Sequence, residues 1–534
     1  MTNNHASGVG IQSNTQSSTM LLLSRIAALA ALSGIVAAAP SSKSHKSSAV
    51  NTTTCGGQTY VYQELAGYGF VPGNARDKFG DTLGGIGSSI AIDKNTWKKK
   101  GQSYSGILWA LPARNVDRGW NTQGTLNFQN RVHKFEITLS LNSSATVKSP
   151  SGPNLNLQYL DTILFTDPKS IPVTGLDPDA DGPYLQYHGF PELPSTIYTG
   201  DGFGNNGTGG HRVSVDSEGL VLNSDGSFWV SDEYGPYIYK FSPSGQMLDA
   251  IRPPNATIPL RNDTESFNAD SAPVYNPNFA ITPEDPSHGR ANNQGLEGLT
   301  ASPDGKKLYA LMQSALNQEG GLKKENRRYA RLLQYSIASS PAVYEADYVI
   351  PLPLYSDASV AGQSEIHFLT PTQFFILARD SGAGHGQDSS ESVYRHIDIF
   401  DISNATDIKT SSNDAFDGAI ASAKGSLDKG IQAAAYCSFL DFNVNAQLNR
   451  FGVHNGGAQD AGLLNEKWES IATVPVNGNG SDGEYFVFSL SDNDFITQDG
   501  YMDFGKYKYK DASGFNLDNQ ALVFKVQFPK GVSP

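Results

Sequence analysis

The sequence predicts an all-β fold, a β-propeller of four-stranded antiparallel blades, on three observations. Strand-like apolar runs come in groups of four, joined by turns rich in Gly, Asp, Ser and Pro. A glutamate recurs at the start of the first run in four groups: Glu218 in SEGL, Glu297 in LEGL, Glu365 in SEIH and Glu469 in WES. The last group lacks one strand, and a run near the amino end supplies it. Closure by the opposite terminus is how radially repeated sheets avoid an open edge.

The first group covers 86–92, 107–111, 131–139 and 159–165. The second is the clearest meander: 219–222, 227–231, 237–241 and 247–251, with turns Ser224-Asp225-Gly226 and Gly235-Pro236. The third runs 296–301, 308–313, 330–336 and 344–350, and the fourth 365–369, 374–378, 396–401 and 433–439. The fifth has 470–474, 485–490 and 521–528, completed by 59–65. Five blades are counted, and the long connections leave room for an irregular sixth. Gly 54, Pro 28 and 10% aromatic residues suit so turn-dense an architecture.

Adjacent antiparallel strands bring the start of strand one, the end of strand two and the end of strand four to one face. The long insertions 166–210 and 252–294 follow fourth strands, so both should overhang that face. The Ala-rich segment 404–430 joins a third strand to a fourth and should lie on the far side, with a short helix. The organisation expected is a signal peptide at 1–39, a Ser/Thr-rich leader at 40–54 and a single domain at 55–534.

Residues 20–39 (MLLLSRIAALAALSGIVAAA) have the form of a secretory signal, ending in the small residues Ala37-Ala38-Ala39. The apolar run after Arg25 is too short to span a bilayer comfortably, so an uncleaved anchor is the lesser reading. The polar stretch before Met20 fits a true start at Met20. Seven Asn-x-Ser/Thr sequons, at Asn51, Asn142, Asn206, Asn255, Asn262, Asn404 and Asn479, support export and glycosylation. The expected location is extracellular or the cell wall, without membrane attachment after cleavage. Cys55 and Cys437 either form one disulfide or remain two buried thiols, and export favours the disulfide. In the propeller, Cys55 precedes the closing strand and Cys437 lies on the neighbouring blade.

The chain carries a net charge of −14, which disfavours nucleic acid as a partner. A monomer acting on a small anionic molecule is expected. No G-x-S-x-G elbow, H-E-x-x-H helix, Walker A loop or C-x-x-C pair is present, which removes the usual signatures of serine hydrolases, zinc proteases and nucleotide hydrolases.

Convergent acids are the best candidates for chemistry. Glu218, Glu297, Glu365 and Glu469 open first strands; Asp232, Glu233, Asp380, Asp492 and Asp494 close second strands. Like charges about 4 Å apart repel by about 1 kcal/mol even in water, so bound calcium, shared protons or arginines must relieve the crowding. Arg379, Arg114 and Arg212 are available for pairing. The competing reading is a structural ring of carboxylates bonded to backbone between blades. Asp177, Asp179 and Asp181 in DPDADG reproduce the opening of a calcium loop, but its twelfth position is His188 rather than Glu. An acidic turn without metal is the alternative there. His211, just before Glu218, is a candidate proton donor, as is His385.

The segments GGHRVSVDSEGL, GSFWVSDEYGPYIYKFSPSGQML, NQGLEGLTASPDGKKLYALMQ, SEIHFLTPTQFFILARDSG and LSDNDF resemble the phytase-like family, also described as "esterase-like activity of phytase". The likeness spans nearly all of 60–530. It implies an exported propeller whose acids Glu218, Asp232, Glu233, Glu297, Glu365, Asp380, Asp492 and Asp494 serve phosphoester hydrolysis. Glu469 in WES and Gly87-Ser88 in group one depart from the EGL pattern and make the ring asymmetric. The expected activity is calcium-assisted phosphoester hydrolysis, with Asp232 or Glu233 as base and Arg379 or Arg114 stabilising charge. A metal-dependent lactonase or carboxylic-ester hydrolase and a non-catalytic binding propeller are the alternatives.

Overall fold

The computed structural model describes residues 49–112, 124–355, 359–532 and 534. The signal segment, most of the leader, Arg114 and Arg118 lie outside the described residues. Within them the chain is a five-bladed propeller. Blade one is Ser89–Lys100, Ser103–Leu111, Arg131–Ser140 and Leu155–Leu164. Blade two is Ser217–Leu222, Phe228–Asp232, Ile238–Phe241 and Met247–Ile251. Blade three is Leu296–Ala301, Lys307–Met312, Tyr329–Ser336 and Val343–Pro351. Blade four is Gly362–Phe368, Gln373–Arg379, Arg395–Asp401 and Ala435–Asp441.

Blade five is Ala472–Pro475, Glu484–Asp492, Asn519–Gln527 and the amino-terminal strand Gln58–Val71. The closing strand pairs antiparallel with the last strand of the chain, from Val61↔Gln527 to Val71↔Asn519. A further strand, Asn51–Cys55, pairs outside it, so ordered structure begins within the segment expected to be a coreless leader. Thr53 Oγ1 and Asn51 Nδ2 donate to the Ser438 and Phe439 carbonyls of blade four, which gives this short strand a second anchor.

Both faces of each blade are covered by neighbours, so second strands are continuous apolar runs rather than alternating ones. FWVSD is buried at every position. The core lies between blades: Tyr60, Phe375, Trp468 and Phe524 belong to one apolar cluster of blades four and five. First strands of neighbouring blades pack together around the axis. The insertions 166–210 and 252–294 sit on the expected face: Tyr234 OH donates to Gly175 O, and Arg290 Nε to Tyr234 O.

Segment 404–430 departs from expectation. It runs along the outer edge of blade three, where Ile408 N donates to Asp347 O and Ala434 N to Val349 O. Its turns contain no helix, because its backbone groups are used in tight turns and on that edge. Ile408, Ile420 and Ala421 bury against Val349, which covers an otherwise open strand.

Cys55 and Cys437 form the disulfide, with Cα atoms 5.8 Å apart and 382 positions between them in sequence. It staples the closing blade to its neighbour. Replacing both cysteines by serine should cost about 2–5 kcal/mol; an unchanged melting temperature would show that strand pairing alone holds the closure. A second expectation concerns acid. His133 is buried in blade one, with Nδ1 2.8 Å from Thr162 Oγ1, and burial with nearby Arg131 holds its pKa well below the ordinary value. The folded chain keeps this ring neutral, whereas the unfolded chain protonates it below about pH 6.5. Its contribution is therefore complete above that pH and is lost as pH falls, by on the order of 1.4 kcal/mol per unit. The loss of melting temperature between pH 6.5 and 5 should be shallower in His133→Asn; an identical slope would refute this.

Candidate functional site

The EGL motifs act through a local irregularity. In blades two and three the ladder register slips beside Glu218 and at Glu297, turning each glutamate out of regular pairing. The following glycine permits close approach of the next inner strand. A Cβ on Gly219 would lie 2.4 Å from Leu299 Cβ, and one on Gly298 2.9 Å from Ile366 N.

Asp216, Glu218 and Glu233 bring carboxylate oxygens within 4.8 Å of one another. All three are buried, at 1, 5 and 3% exposure. Asp216 enters from the strand lead-in, Glu218 from the bulge, and Glu233 from the end of strand two. Glu233 N donates to Asp216 O at 3.0 Å, and Asn293 Nδ2 donates to Glu233 Oε2 at 2.6 Å. Glu297 lies against Glu233 and Gln313, and its buried Oε2 has no hydrogen-bond partner. Burial, then Glu297, Asp216, Glu233 and Glu469, push Glu218 well above the usual carboxylate range. Burial and Glu469 push Glu297 up to about 8.

Across the axis, blades four and five bring their own cations. Arg379 Nη2 donates to Glu469 Oε1, and its Nη1 lies 3.9 Å from Glu466. Lys467 Nζ is 2.7 Å from Asp494 Oδ1. Burial would lower the Lys467 pKa, but Asp494, Glu469 and Asp492 outweigh it and hold the ammonium charged. Asp492, whose Oδ1 accepts from Asp494 N at 2.6 Å, is raised to about 7 by burial and by Asp494.

Several expected site residues have other work. Asp232 accepts from the backbone N–H groups of Asp216, Tyr234 and Gly235 and from Tyr239 OH. Burial lifts its pKa to about 7 despite these donors. With four donors on one carboxylate it organises the SDEYGP turn rather than serving as a base. Asp380 does the same for 392–394, accepting from Ser392 Oγ, Val393 N and Tyr394 N. Glu365 stands one residue deeper than the EGL glutamates, at the level of Gly219 and Gly298. There it accepts from Ser89 Oγ at 2.5 Å and Leu299 N at 3.0 Å. It is an axial tie, not a mouth ligand.

The DPDADG segment is not a calcium loop. Asp177 accepts from Ala269 N and Ser271 N, and Asp179 from Thr196 Oγ1 and Ile197 N. Asp181 is exposed, so the three carboxylates do not converge. His211 is 2.9 Å from Ser195 Oγ within the hairpin Ser195–Tyr198/Gly210–Val213; burial lowers its pKa against the pull of Asp179. Arg212 pairs with none of the described acids. Sequence reasoning missed Asp216, Asn293, Glu466 and Lys467. Asp216 and Lys467 each stand two residues before a named glutamate, a spacing that was available as a signal.

The Asp216–Glu218–Glu233 set fits a hard divalent cation: three side chains offer oxygens, and burial together with crowding makes the charged form of Glu218 costly without one. Among the described residues this is the one cluster with ligand atoms so close.

Residues 123–495 match the family described as phytase-like, "esterase-like activity of phytase". A protein of Arthroderma benhamiae described as an uncharacterized secreted protein is 53% identical over 504 residues, covering 90% of this chain and 97% of that one. The calcium-binding protein regucalcin from Agrobacterium tumefaciens is 9% identical at a TM-score of 0.29, covering 88% of this chain and 97% of its own. A gluconolactonase from Xanthomonas campestris is 8% identical at a TM-score of 0.24, covering 89% and 91%. At these scores neither structural likeness bears on the site. The protein is secreted, and no helix among the described residues is long and apolar enough to cross a membrane. With most of its length matched both by the family and by this relative, the chain belongs to the phytase-like family.

Proposed function

We propose that this chain is a metal-assisted ester hydrolase acting on phosphoesters outside the cell. The observation that carries the reading is the buried Asp216–Glu218–Glu233 set with Glu297 beside it. These three acids would hold the ion, and the family description supports ester hydrolysis. When bound, a divalent cation polarises the ester and makes water a better nucleophile. Asn293 fixes Glu233 through Oε2, so the set keeps its shape before substrate arrives. With a cation held by the neighbouring set, the carboxyl of Glu297 would be driven to its ionised form. Its Oε2, buried and without a donor, is then placed to accept a proton from attacking water. That replaces Asp232, whose oxygens are committed to its turn. Arg379 and Lys467, paired with Glu469 and Asp494, hold those acids in position.

One observation favours a second reading, hydrolysis of lactones or carboxylic esters. Among the described residues, Arg379 and Lys467 at the mouth are already in ion pairs, which suits a neutral substrate better than a phosphate dianion.

Purified secreted protein should release phosphate from p-nitrophenyl phosphate, lose that activity with chelator and regain it with calcium. Lactone opening without phosphate release would select the second reading. Calcium stabilisation with neither activity would leave a structural role. Glu218→Gln should weaken metal binding at least about 10-fold. Glu297→Gln should retain the metal while lowering turnover about 100-fold or more; full activity in both variants would sink the assignment.

A further inference from the structure

Residues of segments 127–131, 198–212 and 503–506, with Pro172, line a cavity of about 480 Å3 beside blade one. None of Asp216, Glu218, Glu233 or Glu297 lines it. Arg212, which the sequence offered as a counter-ion for the mouth acids, opens on this cavity instead. Its Nη1 donates to Asn127 Oδ1 at 2.9 Å, and its guanidinium lies 5.3 Å from the Tyr198 ring centre. Asn127 is itself fixed, donating Nδ2 to Asp201 O at 3.0 Å. Among the described residues no carboxylate lies within 4.0 Å of the Arg212 guanidinium.

We infer that this cavity is a binding site for a small anionic ligand, a carboxylate or phosphate taken by Arg212. A guanidinium has five N–H donors in a planar fork, and Asn127 uses one. The half-buried fork is held in place by Asn127 and Tyr198 without being neutralised, the arrangement that makes bidentate anion recognition strong. Lys506 also lines the cavity but is paired with Asp503, Nζ to Oδ2 2.9 Å, so the anion site rests on Arg212. Tyr198, Phe203 and Phe504 supply apolar wall for the body of the ligand. The inference goes beyond the acidic mouth and stands whether or not that mouth hydrolyses esters.

The test uses the secreted chain after enzymatic removal of N-glycans, because Asn206 of the sequon Asn206-Gly207-Thr208 lines the cavity. Melting is followed in chelator, so that no divalent ion at the mouth can recruit the probe. Inorganic phosphate or glucuronate should raise the melting temperature by several degrees at saturation, and the stronger probe identifies the anion class. The rise should vanish in Arg212→Gln and persist in Glu218→Gln. If Arg212→Gln melts early without ligand, Arg212→Lys provides the check: normal baseline melting with affinity lowered about 10-fold or more. Absence of a rise with either probe, an undiminished rise in Arg212→Gln, undiminished affinity in Arg212→Lys, or loss of the rise in Glu218→Gln would overturn the assignment.

Discussion

The inner surface of the propeller depends on one buried carboxylate, Glu365. Its two oxygens accept from Ser89 Oγ of blade one, Leu299 N of blade three and Ile366 N of its own strand. Ser89 Oγ in turn accepts from Leu220 N of blade two. One side chain thus ties the first strands of four blades at the axis. Burial pushes its pKa well above the ordinary range in spite of these donors. A buried polar group without such partners would be costly, so the network and the positions of its strands specify each other.

That tie sets the height of everything at the mouth. Glu218 and Glu297 project one residue above the level of Glu365, and the glycines after them let the inner strands close up. The acids then divide into two sets with different solutions to crowding. Around Glu469, Asp492 and Asp494, the chain supplies Arg379 and Lys467 as internal cations. Around Glu218, burial and then repulsion from neighbouring acids disfavour the charged carboxylate, and three side chains are left arranged to share a hard cation. Glu469 lies at the seam, acting on Glu218 and Glu297 from one side and on Arg379 and Lys467 from the other.

Many acids elsewhere in the chain serve backbone rather than chemistry. Asp177, Asp179, Asp232 and Asp380 each gather N–H groups from turns or insertions that no sheet satisfies. Long insertions leave many such donors, and a buried unpaired donor costs about 1–3 kcal/mol. An aspartate at the end of a strand meets this need because its short side chain reaches turn backbone nearby. The same residue type in the same place can also ligate a metal, which is why sequence position does not separate the two roles.

The sequence by itself determined the strand grouping of five blades, the amino-terminal closing strand and the face on which the acids gather, while the folded chain excluded a sixth blade among the described residues. Those features are local: apolar runs, turn residues and a recurring glutamate each act within a few residues. The cysteine pairing needed only the propeller geometry and an exported chain. Tertiary structure decided which acids meet. Glu365 looks equivalent to Glu218 and Glu297 in sequence, yet lacks the glycine that follows them and sits one level deeper. Asp216 and Lys467 join the mouth through bulges and lead-ins whose geometry no periodicity encodes. Arg212 opens on a cavity lined by segments distant from one another in the chain. Whether a charged side chain becomes ligand, tie or turn support depends on the donors and charges brought to it from distant segments, and only the folded chain sets those distances.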